Sequence, residues 1–237
     1  MKKDYAAAGT SQIDPKNITH YYRSRVELEL FFIFAIFVAN KPSDITAKKV
    51  NAMFLPRTDN PINIAVYQRT TDLRGEPRTG YPEALVRDEG IHSPFEFIEI
   101  LVQLQLVTEW LEYWKVGQYK RLTRTIIEID QMFNRDDLVD LDGPSNPRAF
   151  EQLHGVGRKT SRFFLIHSQQ DAMYGVLDTH VLKWLKRVYR TTAISTPSSY
   201  KDYKLLEGLF LGECMKWQKT CADMDSMIWN SYHNLEA

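Results

Sequence analysis

Lys159 and Asp178 are the residues of this chain whose types, spacing and surroundings point most directly to chemistry. Lys159 lies in Leu153-His154-Gly155-Val156-Gly157-Arg158-Lys159-Thr160, and Asp178-Thr179-His180-Val181 begins nineteen residues after it. An amine attacks an electrophilic carbon only when unprotonated, which requires desolvation or nearby cations. A carboxylate stabilises positive charge that develops as a leaving group departs. Glycines at 155 and 157 permit backbone angles and close approaches that a β-carbon would prevent. A run of free N–H groups at a helix start binds anions. The combination is a turn that can grip phosphate, a lysine at its lip and a pre-set acid.

These residues need helices on both sides. Asn146-Pro147 predicts a first hairpin helix over Arg148–Leu153, and a second runs from Arg158 to His167 with Phe163, Phe164 and Ile166 as core candidates. Asp178 precedes the periodic apolar run Val181, Leu182, Trp184, Leu185 and Val188, so it predicts the N-cap of a helix ending near Tyr189. Upstream, the pattern predicts helices over His20–Ala39 and Asp44–Phe54, the latter capped by Ser43. Ser93-Pro94-Phe95-Glu96 reads as a capping box. Further helices are expected over Thr108–Tyr113, Lys120–Phe133, Tyr200–Lys216 and Ala222–Tyr232, with Leu205, Leu209 and Met227 among the buried residues. In the cluster Trp110, Tyr113, Trp114 and Tyr119, packing in the core outweighs a base-stacking role. No strand alternation of any length is visible, so the expected class is all-α.

Residues 56–92 are a long segment punctuated by proline and glycine, in which Arg57, Arg69, Arg74, Arg78 and Arg87 share space with acids and with Tyr67 and Tyr81; the family resemblance described below implies that it is an insertion. A solvated loop is the preferred reading of that mixture. Lysines plus arginines and acids balance at 30 each, which argues against non-specific coating of nucleic acid but not against a local basic face. Hydrophobic residues make up 43% of the chain, ordinary for a folded core. The greasiest run, Leu30–Ala39, is shorter than the roughly 20 residues a bilayer span needs. With no N-terminal signal pattern, a soluble, cytoplasmic, monomeric protein is expected. Two cysteines, Cys214 and Cys221, exclude a disulfide-built fold and are too few for a four-cysteine iron–sulfur cluster.

The two motifs in register resemble those of the helix-hairpin-helix (HhH-GPD) DNA glycosylase superfamily, whose relatives include endonuclease III and 8-oxoguanine glycosylase. The hairpin there reads roughly Leu-Pro-Gly-Val-Gly-x-Lys-Thr, and an aspartate follows in a Val-Asp-Thr-His context. This chain keeps Gly155, Val156, Gly157, Lys159 and Thr160, replaces the proline by His154, and has Leu177-Asp178-Thr179-His180-Val181 as the second motif. The resemblance covers about residues 28–233. It implies one two-lobed domain over 1–237, with about 18–40 plus 190–237 in one lobe and about 43–189, carrying the 56–92 insertion, in the other. It implies double-stranded DNA as partner, near the nucleoid. Lys159 would be the nucleophile, forming a Schiff base that permits strand nicking. Asp178 would be its acid/base and electrostatic partner. Gly155, Val156, Gly157, Arg158 and Thr160 would grip the DNA backbone, and Asn40 falls where relatives often place a glutamine that reaches into the duplex. No cofactor would be required. A monovalent cation, K+ or Na+, would sit on the main-chain carbonyls of Glu151, Leu153 and Val156. His180 is expected to be structural.

The same resemblance carries a second expectation. Leu177–Lys183, Thr196-Pro197 and Met227-Ile228-Trp229-Asn230 look closer to phage enzymes of thymidine hypermodification, which share the fold and attach amino groups to activated 5-hydroxymethyluracil in DNA. The insertion and the missing cluster cysteines fit that phage-encoded branch. A non-catalytic DNA-binding module built on the hairpin is the third reading.

Overall fold

The computed structural model describes residues 13–39, 41–54, 60–70, 93–133, 140–141, 143, 146–193 and 195–236, with backbone alone at 67–70, 133 and 233–236. Asn40, most of the 56–92 insertion, and the acidic stretch 134–139 lie outside the described residues. Every regular element among the described residues is a helix. In chain order these are α1 (Arg25–Phe37), α2 (Ser43–Met53), α3 (Pro61–Thr70), α4 (Pro94–Gln103), α5 (Val107–Tyr113), α6 (Tyr119–Phe133), α7 (Pro147–Phe150), α8 (Arg158–Ser168), α9 (Thr179–Tyr189), α10 (Tyr200–Lys216) and α11 (Cys221–Glu236). They fall into two compact units. One comprises Met1–Ile18, Tyr22–Pro144 and Gln152–Gly155; the other comprises Thr19–Tyr21, Ser145–Glu151 and Val156–Ala237.

The first unit is organised by α1, in which every residue from Leu28 to Phe37 is buried. The helix starts later than its apolar pattern suggests because Ser24 and Glu27 form a reciprocal capping box there. Phe32 meets Phe95 of α4 edge-on at 6.5 Å. Phe54, Phe97 and Trp110 form a second aromatic group with centroids 5.3–5.7 Å apart. The Trp110 indole donates to Asn63 Oδ1 at 3.1 Å, so this buried ring keeps its polar edge satisfied. Of the expected aromatic cluster only Trp110 is core. Tyr113 is exposed and stacks edge-on with half-buried Trp114. Ser43 is the first residue of α2 rather than its cap, because the chain enters from Pro42 and no side chain caps that end.

Glu29 of α1 does what the Ser93–Glu96 box was expected to do alone. Its carboxylate accepts from Ser93 Oγ at 2.6 Å and from Phe95 N at 3.2 Å, while Ser93 Oγ accepts from Glu96 N at 3.3 Å. Burial holds the Glu29 carboxyl above its ordinary range, against the pull of Ser93, Arg25 and Phe95. Glu96 Oε2 is buried without a hydrogen-bond partner, and burial, then Glu29 and Glu99, push its carboxyl from 4.5 to about 7.

In the second unit, α8 is joined to its neighbours through Arg162, which is fully buried. Its guanidinium reaches Glu151 at the end of α7 at 2.5 Å and Glu207 of α10 at 2.7 Å, and lies 4.5 Å from the centre of the Tyr203 ring. The first hairpin helix is a single turn, Pro147–Phe150, started by the Asn146 side chain on Arg148 N. Glu151, the residue that meets Arg162, is its C-cap. The last two helices begin at Ser199, whose side chain caps α10, and at Cys221. Leu205 is 67% exposed, against expectation, because Tyr203, Leu206 and Phe210 already fill the inward face of α10. Leu209 and Met227 are half-buried, and Val188 is exposed.

Two measurements test this packing. Arg162→Ala leaves the buried Glu207 and half-buried Glu151 carboxylates short of their partner and should cost about 3–5 kcal/mol in urea unfolding. The triple change Arg162→Met, Glu151→Leu, Glu207→Leu should recover most of that loss, and equal losses in both would contradict the account. For Glu96, the folded state binds more protons than the unfolded between pH 4.5 and about 7, so stability falls as pH rises through that window. Glu96→Gln should therefore raise the melting temperature at pH 8 and change it little at pH 5. The same increment at both pH values would refute the assignment.

Candidate active site around Lys159 and Asp178

The second unit brings Lys159 and Asp178 into electrostatic contact. Lys159 is the second residue of α8, half-buried, in a helix that begins at Gly157 with no capping side chain. The first N–H groups of α8 are thus not consumed by a cap. Asp178 is the N-cap of α9, as expected, and its Oδ1 accepts from Val181 N at 2.8 Å. The chain into Asp178 is held at several points. Tyr203 OH donates to Gly175 O at 2.8 Å, Gly175 N donates to Glu207 Oε1 at 3.2 Å, and Thr196 Oγ1 donates to Leu177 O at 2.7 Å.

Asp178 is half-buried, and burial raises its carboxyl above the usual range. The Asp225 carboxylate of α11 raises it further, while Lys159, the Val181 N–H and His180 pull it down. Asp225 is buried, with Oδ2 3.2 Å from His167 Nε2, and His167 Nδ1 lies 2.8 Å from Thr19 Oγ1. Asp225, Trp229 and Tyr232 share one face of α11 at helical spacing. The His180 ring packs against the latter two at 6.5 and 6.0 Å, which brings the start of α9 alongside Asp225. His180 Nδ1 is buried with no hydrogen-bond partner among the described residues.

The other expected site residues have mixed placements. Gly155 has φ +76°, and a β-carbon there would come within 3.0 Å of the Arg121 side chain, so the position demands glycine. Its carbonyl already accepts from Arg121 Nη1 at 3.0 Å. Gly157 is exposed in extended backbone. Val156 and Thr160 are buried. Arg158 is turned back into the fold, donating to the carbonyls of Pro197 and Ser198 and lying 5.6 Å from the Tyr200 ring centre. Glu151 spends its side chain on Arg162 and Ser161, and Leu153 is buried. Asn40 lies outside the described residues. Among the described residues no three His, Cys, Asp or Glu side chains gather to hold a metal ion, and no helix is long and apolar enough to cross a membrane. Cys214 and Cys221 are buried free thiols at the junction of α10 and α11.

Two features escaped the sequence reading. Asp225, His167 and Thr19 are too far apart in the chain to be associated by spacing, and only the fold joins them. The other was legible. Lys183, Lys186 and Arg187 fall at i, i+3 and i+4, all exposed, on a helix without a single acid, and exposed Arg190 follows as its left-handed C-cap. No protein-family model, curated protein or solved structure matches this chain.

Proposed function

We propose that the protein is a DNA glycosylase with lyase activity, of the helix-hairpin-helix type, that acts on a damaged or modified base. The observation that carries this reading is the pairing of Lys159, at the open start of α8, with an N-cap aspartate whose carboxyl is held above its usual range. A carboxylate of raised basicity is suited to take a proton from the Lys159 ammonium. The neutral amine then bonds to the anomeric carbon, the N-glycosidic bond breaks, and the base leaves with the bonding pair. Sugar-ring opening gives the Schiff base, from which β-elimination nicks the strand. The target base leaves the stack to reach the site. Backbone amides of Gly157 to Lys159 suit a phosphate beside the lesion, and the cationic face of α9 suits the phosphate chain beyond it. A monovalent ion on the Glu151, Leu153 and Val156 carbonyls remains part of the reading, as does double-stranded DNA as partner.

A second reading is favoured by one observation. The three runs that resemble the thymidine-hypermodification branch converge on Asp178, since Thr196 bonds to the Leu177 carbonyl and Trp229 packs on His180. In that reading the same lysine and aspartate serve transfer of an amine onto an activated 5-hydroxymethyluracil.

The deciding experiment incubates the protein with duplexes carrying uracil, 5-hydroxymethyluracil, thymine glycol, 8-oxoguanine or an abasic site, with borohydride present. Glycosylase/lyase action predicts a covalent adduct on at least one duplex, abolished in Lys159→Ala and reduced about a hundredfold or more in Asp178→Asn. No adduct and no base release on any duplex overturns it and directs the assay to pyrophosphorylated 5-hydroxymethyluracil with amine donors. Duplex binding that survives both changes, without chemistry on any substrate, favours the binding module. Asp225 supplies a pH signature. Its charge raises Asp178, so Asp225→Asn should move the acidic limb of the adduct-forming rate to lower pH. A limb that stays in place removes Asp225 from the site.

A further inference from the structure

A cluster of cations stands in the first unit, outside the Lys159 site. Lys41 lies in the short link between α1 and α2, immediately before the uncapped N-terminus of α2. Its Nζ is buried, has no hydrogen-bond partner among the described residues, and lies 6.0 Å from the centre of the Phe37 ring. Two further cations face it, Arg121 from α6 and Lys49 from α2. Arg121 is fixed, with Nε on Gln118 Oε1 at 2.6 Å, Nη1 on Gly155 O at 3.0 Å and Nη2 on Ile36 O at 3.1 Å. Lys49 Nζ donates to Lys115 O. Asp44, exposed in the first turn of α2, makes no ion pair with Lys41.

Bringing three like charges together costs free energy that falls when an anion joins them. The carbonyls at the end of α1 account for Arg121, which binds one of them, but not for Lys41, which binds none. A buried ammonium without an acceptor needs one. The uncapped α2 terminus adds main-chain donors on the same side of the link. Tetrahedral oxyanions, with acceptors in several directions, match ammonium, guanidinium and amide donors together.

We propose that Lys41, Lys49, Arg121 and the start of α2 form a phosphate-binding site, separate from Lys159 and Asp178. The site goes beyond the glycosylase reading and does not depend on any bond being made or broken. Burial, then Arg121 and Lys49, lower the Lys41 ammonium from 10.5 to about 8. A bound anion favours the charged form, so occupancy should return it toward the ordinary amine range. By the same linkage, affinity should weaken as pH rises through 8.

The test follows Lys41 by carbon NMR of protein whose lysines are dimethylated with labelled formaldehyde, the signal being assigned by its loss in Lys41→Gln. The apo midpoint near 8 should rise by about one unit or more on saturation with either of two probes, inorganic phosphate or an undamaged duplex oligonucleotide. A rise with both identifies a site for the phosphate group itself, and a rise with the duplex alone identifies a backbone phosphodiester. Lys41→Gln and Arg121→Gln should each weaken the responsive probe about tenfold. Lys49→Gln, at a half-buried position of α2, gives a third variant should Arg121→Gln disturb the turn at Gly155. A Lys41 midpoint moved by neither probe overturns the site. Because the measurement needs no adduct, a borohydride adduct with an unmoved Lys41 sinks this site alone, and a shifted Lys41 without any adduct sinks the lyase reading alone.

Discussion

The second unit depends on one buried guanidinium. Arg162 stands three residues beyond Lys159, one turn along α8, and holds Glu151 on one side and Glu207 on the other. Glu207 also accepts from Gly175 N, and the Tyr203 ring beneath the guanidinium bonds the Gly175 carbonyl. The strand of loop that ends at Asp178 is therefore suspended from the same ion pair that fixes the helix carrying Lys159. A buried ion pair is a poor source of stability compared with apolar groups of equal size. Its value here is directional. Hydrogen bonds at fixed angles set α8, α10 and the Gly175 loop in one register, and hydrophobic contacts tolerate sliding that would separate an amine from its carboxylate.

How much of this was legible in the chain follows from the range of each interaction. The Gly155–Lys159 turn and the Asp178 cap are local, written within a few residues, and the helices there run close to their expected bounds. Gly155 shows why: its left-handed φ and the Arg121 side chain against it leave room for no other residue. The errors arose where a distant group overrode a local preference. Ser93 caps Glu96 N, and Glu29, sixty-four residues away, joins it. The first hairpin helix ends at Phe150, short of the expected Leu153. Arg158 donates to carbonyls some forty residues on, partners that nothing local announces. Asp225 was invisible for the same reason, since its relation to Asp178 exists only once α11 lies beside α9.

The balanced composition also hid the distribution of charge. Equal numbers of acids and bases suggest a surface without preference, but several acids are engaged inside the fold. Glu29, Glu151 and Glu207 hold helix starts and a buried arginine, while Glu213 takes donors from Tyr189, Trp217 and Lys216. Basic residues gather locally: α9 carries Lys183, Lys186 and Arg187 and no acid, and the Lys41 ammonium has no hydrogen-bond acceptor among the described residues. A neutral chain can thus hold locally basic surface, because net charge counts groups and recognition reads their placement.

Under the proposed function Asp178 carries two duties that would ordinarily conflict. As an N-cap it must accept a hydrogen bond, which favours the ionised form; as a base it must bind a proton. The geometry separates them by oxygen. Oδ1 takes the Val181 N–H, leaving Oδ2 to receive a proton without breaking the cap. The surroundings then set how readily that happens, with burial and Asp225 favouring protonation and Lys159, Val181 and His180 opposing it. A cap needed only for stability gains nothing from burial or from a second carboxylate, since both weaken its charged form. Their presence at this one helix start is the reason to read Asp178 as more than the beginning of α9.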